Sequence, residues 1–545
     1  MSINSFTILP KAHYHNMTNC NIIILNMKAI VKAVFIMSFF TFFDRLLGFF
    51  FKIYLSIQLG AEMMGVYQVA LSTFMVLVTL ITSGMPLVVS KQTAKLRANK
   101  QIAFENSTAT AAFLINIVVA VALTTIIFIF NRAIGSLFAN DLSRTALLFM
   151  VPALVFSSIY ASLRGNLWGR GKYTAVSLLE IAEQFARIGT CVLLFGLGFD
   201  RLRVAAFAMT IGCIVAALTC VICFFATGAR FKNPKGFIKP LIKQASPVTA
   251  GRAATAAVNG LIAIVVPFLL ISRAGLSQNE AMYQFGFSMG MAMPLLFIPL
   301  TFVGSLAFVM IPTLSKAMAA GDKDSIKRQT EAAIKMSIVL GGLFFPLFFA
   351  LGEPIGLFVY RNADSGRFLR AAAWLLLPIS IESITSSMMN SLDMELRSFI
   401  HYLIGAAVMF SSFLIAGSAF NIHLMAVGMG SGWILSSVLN IWAIKRKAGF
   451  RWGFLFTLLV SAGLTIPAIF ITQGLYSILG ILPTFLRIFI SGGFGILFMI
   501  LMNFVFGNLK IEYFYKNKGS KKKKSPLFDK AAIKAAKAFG LPFLF

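Results

Sequence analysis

The sequence has few acidic residues and little charge of either sign. It contains 18 aspartate and glutamate residues against 48 lysine and arginine residues, and only 12% of its residues are charged while 58% are hydrophobic. A soluble globular domain needs more polar residues to cover its exterior. The composition therefore excludes a soluble globular protein and indicates a membrane protein.

Apolar segments long enough to cross a bilayer recur along the chain. A membrane-spanning helix needs about 20 predominantly apolar residues. Windows of that length predict an all-α integral membrane protein with about fourteen transmembrane helices. The predicted segments are 30–57, 66–90, 108–130, 144–165, 173–197, 203–227, 246–271, 281–313, 330–351, 367–391, 398–419, 423–444, 453–472 and 485–507. The short connections leave almost no room for a soluble domain.

Residues that bind metals or nucleotides are scarce. The four histidines have no metal-binding spacing, and one close cysteine pair, Cys220 and Cys223, lies inside an apolar segment. A zinc or redox site needs a second ligand pair, so we interpret these thiols as buried and structural. The stretch GNLWGRGKYT (165–174) lacks the spacing of a phosphate loop. We therefore expect no metal, no cofactor and no direct use of ATP.

The excess of positive charge follows the predicted topology. With the N-terminus inside, most lysine and arginine residues fall in the inner loops and the termini, which is the positive-inside bias. We expect a multi-pass protein of the bacterial cytoplasmic membrane with both termini in the cytoplasm and no nucleic-acid partner. The basic stretch 516–524 (KNKGSKKKK) could belong to a surface helix on the anionic inner leaflet or to a solvated tail.

Segment positions and composition divide the chain into six predicted parts. The first is a disordered leader, residues 1–29, although translation could instead begin at Met27. The others are an N-terminal lobe (30–228), a basic cytoplasmic linker (229–245), a C-terminal lobe (246–445), two further helices (446–510) and a basic cytoplasmic tail (511–545).

The two lobes repeat one sequence pattern. GMPLVVSK and MIPTLSK end at Lys91 and Lys316, which are 225 residues apart. SIYASLRGNLWGRGK and SITSSMMNSLDMELR end at Lys172 and Arg397, with the same spacing. Each repeat contains six segments, an even number, so the lobes share one orientation and are related by an axis along the membrane normal. Two pseudo-symmetric six-helix lobes are typical of a transporter and are not needed for an anchor.

Polar stripes run along the helix that opens each lobe. One comprises Ser38, Thr41, Arg45, Gly48, Lys52 and Ser56, and the other Thr249, Arg252, Thr255, Asn259 and Ala263. A charge at bilayer depth costs at least a few kcal/mol, so neither stripe can face lipid. We expect Arg45, Lys52, Arg252 and Asn259 to bind substrate in a hydrated, cationic cleft between the lobes. Alternatively, Arg45 pairs with other groups and stabilises the first lobe.

The acidic residues within the segments have two interpretations. Asp44 flanks the first stripe, and Glu180, Glu183 and Arg187 share one face of the fifth segment because they are three and four residues apart. These groups form a structural network inside the first lobe, or they couple transport to an ion. Glu382 is isolated in the tenth segment and could stabilise helix packing or bind a proton or cation.

Several motifs resemble one transporter family. DRLLGFFFKIYLSIQLGAEMMGVYQ, SGMPLVVSK, SLRGNLWGRGKYTAVSLLEIAEQFARI and MPLLFIPLTFVGSLAFVMIPTLSKAMAAGD resemble the stage V sporulation protein B group of the multidrug/oligosaccharidyl-lipid/polysaccharide exporter superfamily. The resemblance extends over roughly residues 30–507. It implies a two-lobed, V-shaped fold and export of undecaprenyl-diphosphate-linked sugars. In the related lipid II flippases, Arg45 matches a first-helix arginine, whereas Phe51 stands at the next family arginine, so Lys52 as its substitute is a hypothesis.

The resemblance and the polar stripes predict a flippase and not an enzyme. The expected substrate is a lipid-linked sugar diphosphate, such as lipid II or another cell-envelope polysaccharide intermediate. It would move from the inner to the outer leaflet by alternating access of the two lobes around the cationic cleft. We expect a monomer whose partners are this substrate, the membrane lipids and, as an open alternative, cell-wall synthesis proteins.

Three other functions remain open. A multidrug or cation antiporter of the same superfamily would use an acidic, aromatic pocket around Asp44 and Glu382. A membrane-embedded glycosyltransferase or polymerase needs catalytic carboxylates on the outer face, where the acidic residues are scattered over short loops. A non-transporting scaffold for wall synthesis would leave the polar stripes unexplained. The sequence does not identify the sugar, the coupling ion or a link to sporulation.

Overall fold

The structure is a computed structural model that describes residues 12–450 and 452–509, with side chains from residue 39 onward except those of 308, 309 and 312. The described residues form helices and turns and contain no β-strand. The prediction of an all-α membrane protein is confirmed. Residues 1–11 of the predicted leader and all of the predicted basic tail lie outside the described residues, and both stay predictions.

Nine α-helices precede residue 273 in the described part of the chain. They are α1 (Ala12–Thr82), α2 (Met85–Ala98), α3 (Ile102–Ile129), α4 (Asn131–Gly135), α5 (Asp141–Met150), α6 (Ala153–Gly169), α7 (Tyr173–Gly196), α8 (Arg201–Ala226) and α9 (Ile238–Ser272). α1 is broken at Gly60, whose φ of 72° and ψ of 171° are not helical. Only glycine adopts such a positive φ at low cost, so this residue separates the first two predicted segments.

Eleven α-helices follow among the described residues. They are α10 (Gln278–Phe285), α11 (Met293–Phe297), α12 (Leu300–Ala319), α13 (Lys323–Leu343), α14 (Phe345–Tyr360), α15 (Ala363–Ala372), α16 (Leu376–Ser391), α17 (Glu395–Ile415), α18 (Ile422–Ala448), α19 (Phe454–Ile478) and α20 (Thr484–Val505). A π-helical segment, Gly286–Ala292, joins α10 to α11, and a 3₁₀ turn, Ala373–Leu375, joins α15 to α16.

Ten helices of the described residues are long and apolar enough to cross a membrane, or up to twelve if two bent pairs each count as one span. One of these, Phe39–Ala98, contains two predicted segments. α7 is not among them, because Glu180, Glu183 and Arg187 lie within its 24 residues. A multi-pass membrane protein is thus confirmed, whereas the exact number fourteen stays a prediction.

The chain divides into two compact units. Unit 1 consists of Met1–Leu55 and Val69–Leu261, and unit 2 of Ser56–Gln68 and Ile262–Phe545. α1 and α9 therefore each contribute residues to both units. The predicted lobe boundary at the linker 229–245 differs from this division, because the part of α9 up to Leu261 belongs to unit 1.

Unit 1 is built around α6. This helix packs against α2, α3 and α8, and α7 packs against α8. One apolar core of the unit contains Leu163 and Leu167 of α6 together with Cys220 and Phe224 of α8. α6 thereby holds four neighbouring helices in one bundle.

Unit 2 repeats this pattern around α16. α16 packs against α12, α13 and α18, and α17 packs against α18. Its core combines Met388 and Met389 of α16 with Ile334 and Ile338 of α13 and Ile444 of α18. A shift of 225 residues maps α2, α3, α6, α7 and α8 onto α12, α13, α16, α17 and α18. The internal repeat expected from the sequence is therefore confirmed in the helix pairing.

Two helices of unit 2 lie outside the repeat. α19 and α20 pack against each other and against α13 and α14. Buried residues Ala468 of α19 and Met499 of α20 form a small core with Leu343. They are the two extra C-terminal helices that the sequence predicts.

Small residues bring two segments of unit 2 into backbone contact. A Cβ atom on Gly65 would overlap the carbonyl oxygen of Met282, and one on Gly286 would overlap that of Ala61. A Cβ on Gly290 would lie 2.7 Å from Cγ of Met64. This spacing of small residues is the arrangement that lets membrane helices approach closely. Residues 56–68 are thereby held within unit 2.

Candidate functional site

The polar stripe of α1 belongs to unit 1 as far as Lys52, and its last residue, Ser56, belongs to unit 2. Arg45 is exposed, and Asp44 and Lys52 are partly buried. Asp44 interacts electrostatically with Arg45, with Glu183 and with Arg187. The charges that interrupt this apolar helix therefore comprise an exposed arginine, a partly buried lysine and a partly buried acidic group that interacts with charges of α7.

The polar stripe of α9 belongs to unit 1 as far as Asn259, and its last residue, Ala263, belongs to unit 2. Nη1 of Arg252 donates a hydrogen bond of 3.1 Å to the backbone oxygen of Ser83. A Cβ on Gly84 would overlap the backbone of α9 at Ala245, so the two segments are closely packed. Arg252 and Asn259 nevertheless have exposed side chains. The packing of α9 against the Gly84 segment therefore leaves the side chains of Arg252 and Asn259 exposed.

All four residues that we expected to bind substrate thus belong to unit 1. Arg45, Arg252 and Asn259 are exposed, and Lys52 is partly buried. We expected Arg252 and Asn259 to open the second lobe, yet α9 as far as Leu261 packs with unit 1. Sequence position alone could not show this, because it depends on the small residue Gly84 in a distant segment.

The structure brings the acidic residues of the first lobe together at α7. Nη1 of Arg164 lies 3.2 Å from Oε1 of Glu180, and Arg187 pairs with Glu183 one turn further along the helix. The hydroxyl of Tyr160 donates to Oε1 of Glu180 over 3.4 Å. These contacts agree with the interpretation of a network inside the first lobe.

Aromatic rings hold Arg164 in place. Its guanidinium carbon lies 4.9 Å from the centre of the Tyr160 ring and 4.7 Å from that of Trp168. A cation over an aromatic face is stabilised by the ring quadrupole. The sequence analysis missed the two rings, although Tyr160, Arg164 and Trp168 recur at the four-residue spacing of one helix face.

A cavity of about 190 Å³ adjoins this network within unit 1. Its polar lining comes from Thr82, Ser157, Arg164, Glu183 and Arg187. Each of the two arginines already has a carboxylate partner. The charges around the cavity are therefore largely balanced within the unit.

Glu382 lies apart from these groups, on α16 of unit 2. It takes part in none of the ion pairs of unit 2 in the described part of the chain, which join Glu331 to Lys335 and Arg367 to two outer carboxylates. Tyr402 of α17 interacts with it electrostatically. Asp44 belongs to unit 1 and Glu382 to unit 2.

A polar network that we did not predict crosses unit 2. Nδ1 of His401 lies 2.8 Å from Oδ1 of Asn440, and Nδ2 of Asn440 donates to Oγ1 of Thr385 over 3.3 Å. Because an amide oxygen only accepts, Nδ1 of His401 carries the proton. Asn440 and Thr385 are fully buried. The sequence signal was weak, since the three residues are far apart and form no motif.

A buried ion pair at one end of unit 1 was also missed. Nε of Arg170 lies 2.5 Å from Oε1 of Glu105, with the side chains 3% and 0% exposed. Arg97 lies 3.4 Å from the same oxygen. Burial lowers the pKa of the Arg170 guanidinium, an effect that the Glu105 carboxylate opposes. The one available signal was an acidic residue at the start of a strongly apolar helix.

Comparisons with known proteins agree with this architecture. The family model described as "Polysaccharide biosynthesis protein" matches residues 30–318. Stage V sporulation protein B of Bacillus subtilis (strain 168) is 21% identical over 419 residues, which cover 74% of this chain and 81% of that protein. Sporulation protein YkvU of the same organism is 21% identical over 438 residues, covering 76% and 94%.

Solved structures share the fold. One titled "Lipid II flippase MurJ, inward closed conformation" matches with a TM-score of 0.68 at 15% identity, covering 86% of this chain and 98% of that chain. An inward-facing multidrug resistance MATE family transporter of the MOP superfamily matches with a TM-score of 0.64 at 14% identity, covering 74% and 94%.

The two relatives are sporulation proteins, and the two solved structures are a flippase and a transporter. None of the four is titled as an enzyme, in agreement with the prediction that this protein is a transporter and not an enzyme. The predicted resemblance is confirmed. The chain therefore shares the fold of a solved flippase and a solved multidrug transporter. Since the family model covers more than half of its length, the chain belongs to the polysaccharide biosynthesis protein family.

Proposed function

We propose that the protein is a flippase for an undecaprenyl-diphosphate-linked sugar precursor, such as lipid II or another cell-envelope polysaccharide intermediate. It moves this substrate from the inner to the outer leaflet of the bacterial cytoplasmic membrane by alternating access. The observation that carries the proposal is the exposure of Arg45 and Arg252 in apolar helices of unit 1. Membership of a polysaccharide biosynthesis family supports the class of substrate.

The exposed arginines suit a diphosphate. An arginine facing hydrocarbon costs several kcal/mol, so these side chains must meet water or an anion. Arginine binds phosphate oxygens through two parallel hydrogen bonds. Asn259 lies about two helical turns beyond Arg252 on α9. Its side-chain amide offers donors and an acceptor that a sugar hydroxyl can use. Lys52 supplies a third cation on α1.

The same chemistry explains why a protein is needed. Each charge and each unpaired hydroxyl of a diphosphate-linked glycan adds to the cost of crossing hydrocarbon. The polyprenyl chain can stay in lipid while the head group passes through a hydrated path. An inside-negative potential favours outward movement of the anion by about 4–5 kcal/mol per 100 mV for two charges.

The test is a reconstituted flipping assay with labelled lipid II. Arg45→Ala and Arg252→Ala should each insert normally but lower the outward flipping rate by at least about tenfold, because each removes a charged contact to the diphosphate. Arg132→Ala and Arg273→Ala are matched controls, since both arginines are exposed residues of the predicted outer loops. Normal flipping by both Arg45→Ala and Arg252→Ala would contradict the proposed substrate site.

The coupling group that we propose is Glu382. A carboxylate outside the ion pairs of unit 2 can take up and release a proton or a cation during the cycle. Glu180, Glu183 and Arg187 form ion pairs within unit 1, and Asp44 lies in the electrostatic field of Glu183 and Arg187. We assign all four a structural role. Glu382→Gln should abolish any dependence of flipping on an imposed ion gradient while leaving substrate binding intact.

A multidrug or cation antiporter is the second candidate. The multidrug transporters that share the fold and the acidic Glu382 favour it. The assay separates the two functions, because an antiporter would move cationic dyes through vesicles and would leave lipid II in its original leaflet. We further propose that both termini lie in the cytoplasm, because the basic residues are concentrated in the predicted inner loops and the termini. We also propose that the protein acts as a monomer.

A further inference from the structure

The end of α18 carries two cations stacked on two exposed tryptophans. The guanidinium carbon of Arg446 lies 3.5 Å from the centre of the Trp442 ring, and Nζ of Lys445 lies 4.0 Å from the centre of the Trp452 ring. The rings are 49% and 46% exposed. Tryptophan is enriched where a membrane helix meets the head groups, so this end of α18 lies at head-group depth.

An exposed apolar stripe leads along α18 to these cations. Ile434, Val438 and Trp442 follow each other at four-residue spacing and are 47%, 56% and 49% exposed. Arg446 is the next residue at that spacing, and it is exposed as well. An acyl chain that lies along this stripe places its head group beside the guanidinium.

No ion pair neutralises these two cations within the part of the chain that the structure describes. Neither Lys445 nor Arg446 takes part in the ion pairs of unit 2 among residues 262–450 and 452–509. The third cation of this turn, Lys447, donates instead to the backbone oxygen of Leu392. The surface therefore presents two positive charges at the end of an apolar path.

We propose that Trp442, Lys445, Arg446 and Trp452, here termed the α18 lipid site, bind a phospholipid with a net negative head group. The occupant lies in the leaflet that the end of α18 faces. Each cation near a membrane surface favours anionic over neutral lipid by about fivefold. The rings fix the cations in position through cation–π contacts, so less side-chain freedom is lost when the phosphate binds.

The equivalent end of unit 1 has a different construction. α8 has no basic residue in its last turn. Phe224 and Phe225 near its end pack against Phe231 of the following linker at centroid distances of 5.3 Å and 5.6 Å. The linker thus packs on the aromatic residues at the end of α8, whereas the tryptophans at the end of α18 stay exposed. Arg230 and Lys232 of that linker are exposed cations and provide a matched control.

The experiment uses fluorescence quenching in nanodiscs of phosphatidylcholine. Three of the five tryptophans, at positions 168, 374 and 433, are replaced by phenylalanine, so that Trp442 and Trp452 report. Brominated phosphatidylglycerol should quench them at a mole fraction at least about tenfold lower than brominated phosphatidylcholine. Arg446→Gln with Lys445→Gln should remove this preference, and Arg446→Lys should retain most of it. The control pair Arg230→Gln with Lys232→Gln should leave it unchanged.

Native mass spectrometry of the unsubstituted protein gives an independent measurement. The parent should retain one more phosphatidylglycerol molecule than the Arg446→Gln, Lys445→Gln variant. Equal quenching by the two brominated lipids would overturn the proposal, as would equal numbers of bound lipids. It would also be overturned if lipid II displaced brominated phosphatidylglycerol from the tryptophans, because the surface would then serve the transported molecule.

Discussion

Units 1 and 2 pair equivalent helices but hold them together with different chemistry. Arg164 of α6 and Glu180 of α7 form an ion pair in unit 1. A shift of 225 residues places Met389 and Gly405 at these positions in unit 2. Met389 is fully buried in an apolar core, and a Cβ on Gly405 would lie 2.5 Å from the backbone oxygen of Gly432. Equivalent helices are therefore held together by an ion pair in unit 1 and by apolar and small-residue packing in unit 2.

The second contrast concerns α3 and α13. Glu105, at the start of α3, is fully buried and paired with Arg170. The residue 225 positions later is Thr330, which is also fully buried but neutral. One unit thus carries a buried charge where the other carries a hydroxyl.

Removing the buried carboxylate should have the largest effect. Glu105→Ala leaves the Arg170 guanidinium buried without its ion-pair partner, which costs about 3–5 kcal/mol in free energy of unfolding. Thr330→Ala, the matched change in unit 2, should cost less than about 1.5 kcal/mol. Denaturant unfolding in mixed detergent micelles measures both values. Similar costs for the two variants would show that the Glu105 ion pair is not a structural centre of unit 1.

The close packing of unit 2 should be the next most sensitive feature. Gly405→Ala inserts a methyl group against the backbone of Gly432 and should destabilise the protein by about 1–3 kcal/mol. Gly189→Ala in α7 is the control, because a Cβ there has no neighbour within 4 Å. It should be neutral or stabilise the helix by up to about 1 kcal/mol. If Gly405→Ala is as harmless as Gly189→Ala, the close packing at Gly405 does not take the place in unit 2 that the Arg164–Glu180 ion pair has in unit 1.

Replacing the ion pair of unit 1 by apolar residues like those of unit 2 should change the free energy of unfolding least. Glu180→Ala alone leaves Arg164 without its carboxylate and should cost about 1–2 kcal/mol, less than a fully buried pair because both side chains are partly exposed. Arg164→Met combined with Glu180→Ala should lie within about 1 kcal/mol of the parent, since it copies the apolar choice of unit 2. A double-mutant cycle measures the coupling, and additive losses would contradict this interpretation.

Much of the fold could be predicted because hydropathy and the 225-residue spacing are local or repeated signals. The spans, the repeat and the two extra helices follow from them. The pairing of Glu105 with Arg170 and the network of His401 with Asn440 could not, because each joins distant residues with no shared motif. The membership of α9 in unit 1 also depends on long-range packing against Gly84.

The candidate site was predictable in part. An apolar helix that contains an arginine is anomalous in any sequence, so Arg45 and Arg252 could be identified without coordinates. That both arginines are exposed could be learned only from the structure, because the sequence was equally compatible with their forming ion pairs inside the lobe. The same anomaly identified Glu183 and Arg187, and these proved to be paired. Sequence locates intramembrane charge but does not decide whether it is neutralised within its own unit.

The most direct measurement is the equilibrium binding of purified protein to two carriers that differ by one phosphate. The parent should bind an undecaprenyl-diphosphate-linked sugar at least about tenfold more tightly than its monophosphate analogue, because the second phosphate adds charge-assisted contacts. Arg45→Gln with Arg252→Gln should bind both carriers equally. Equal affinity of the parent for both, or an unchanged preference in the double variant, would contradict the assignment of these arginines to the diphosphate.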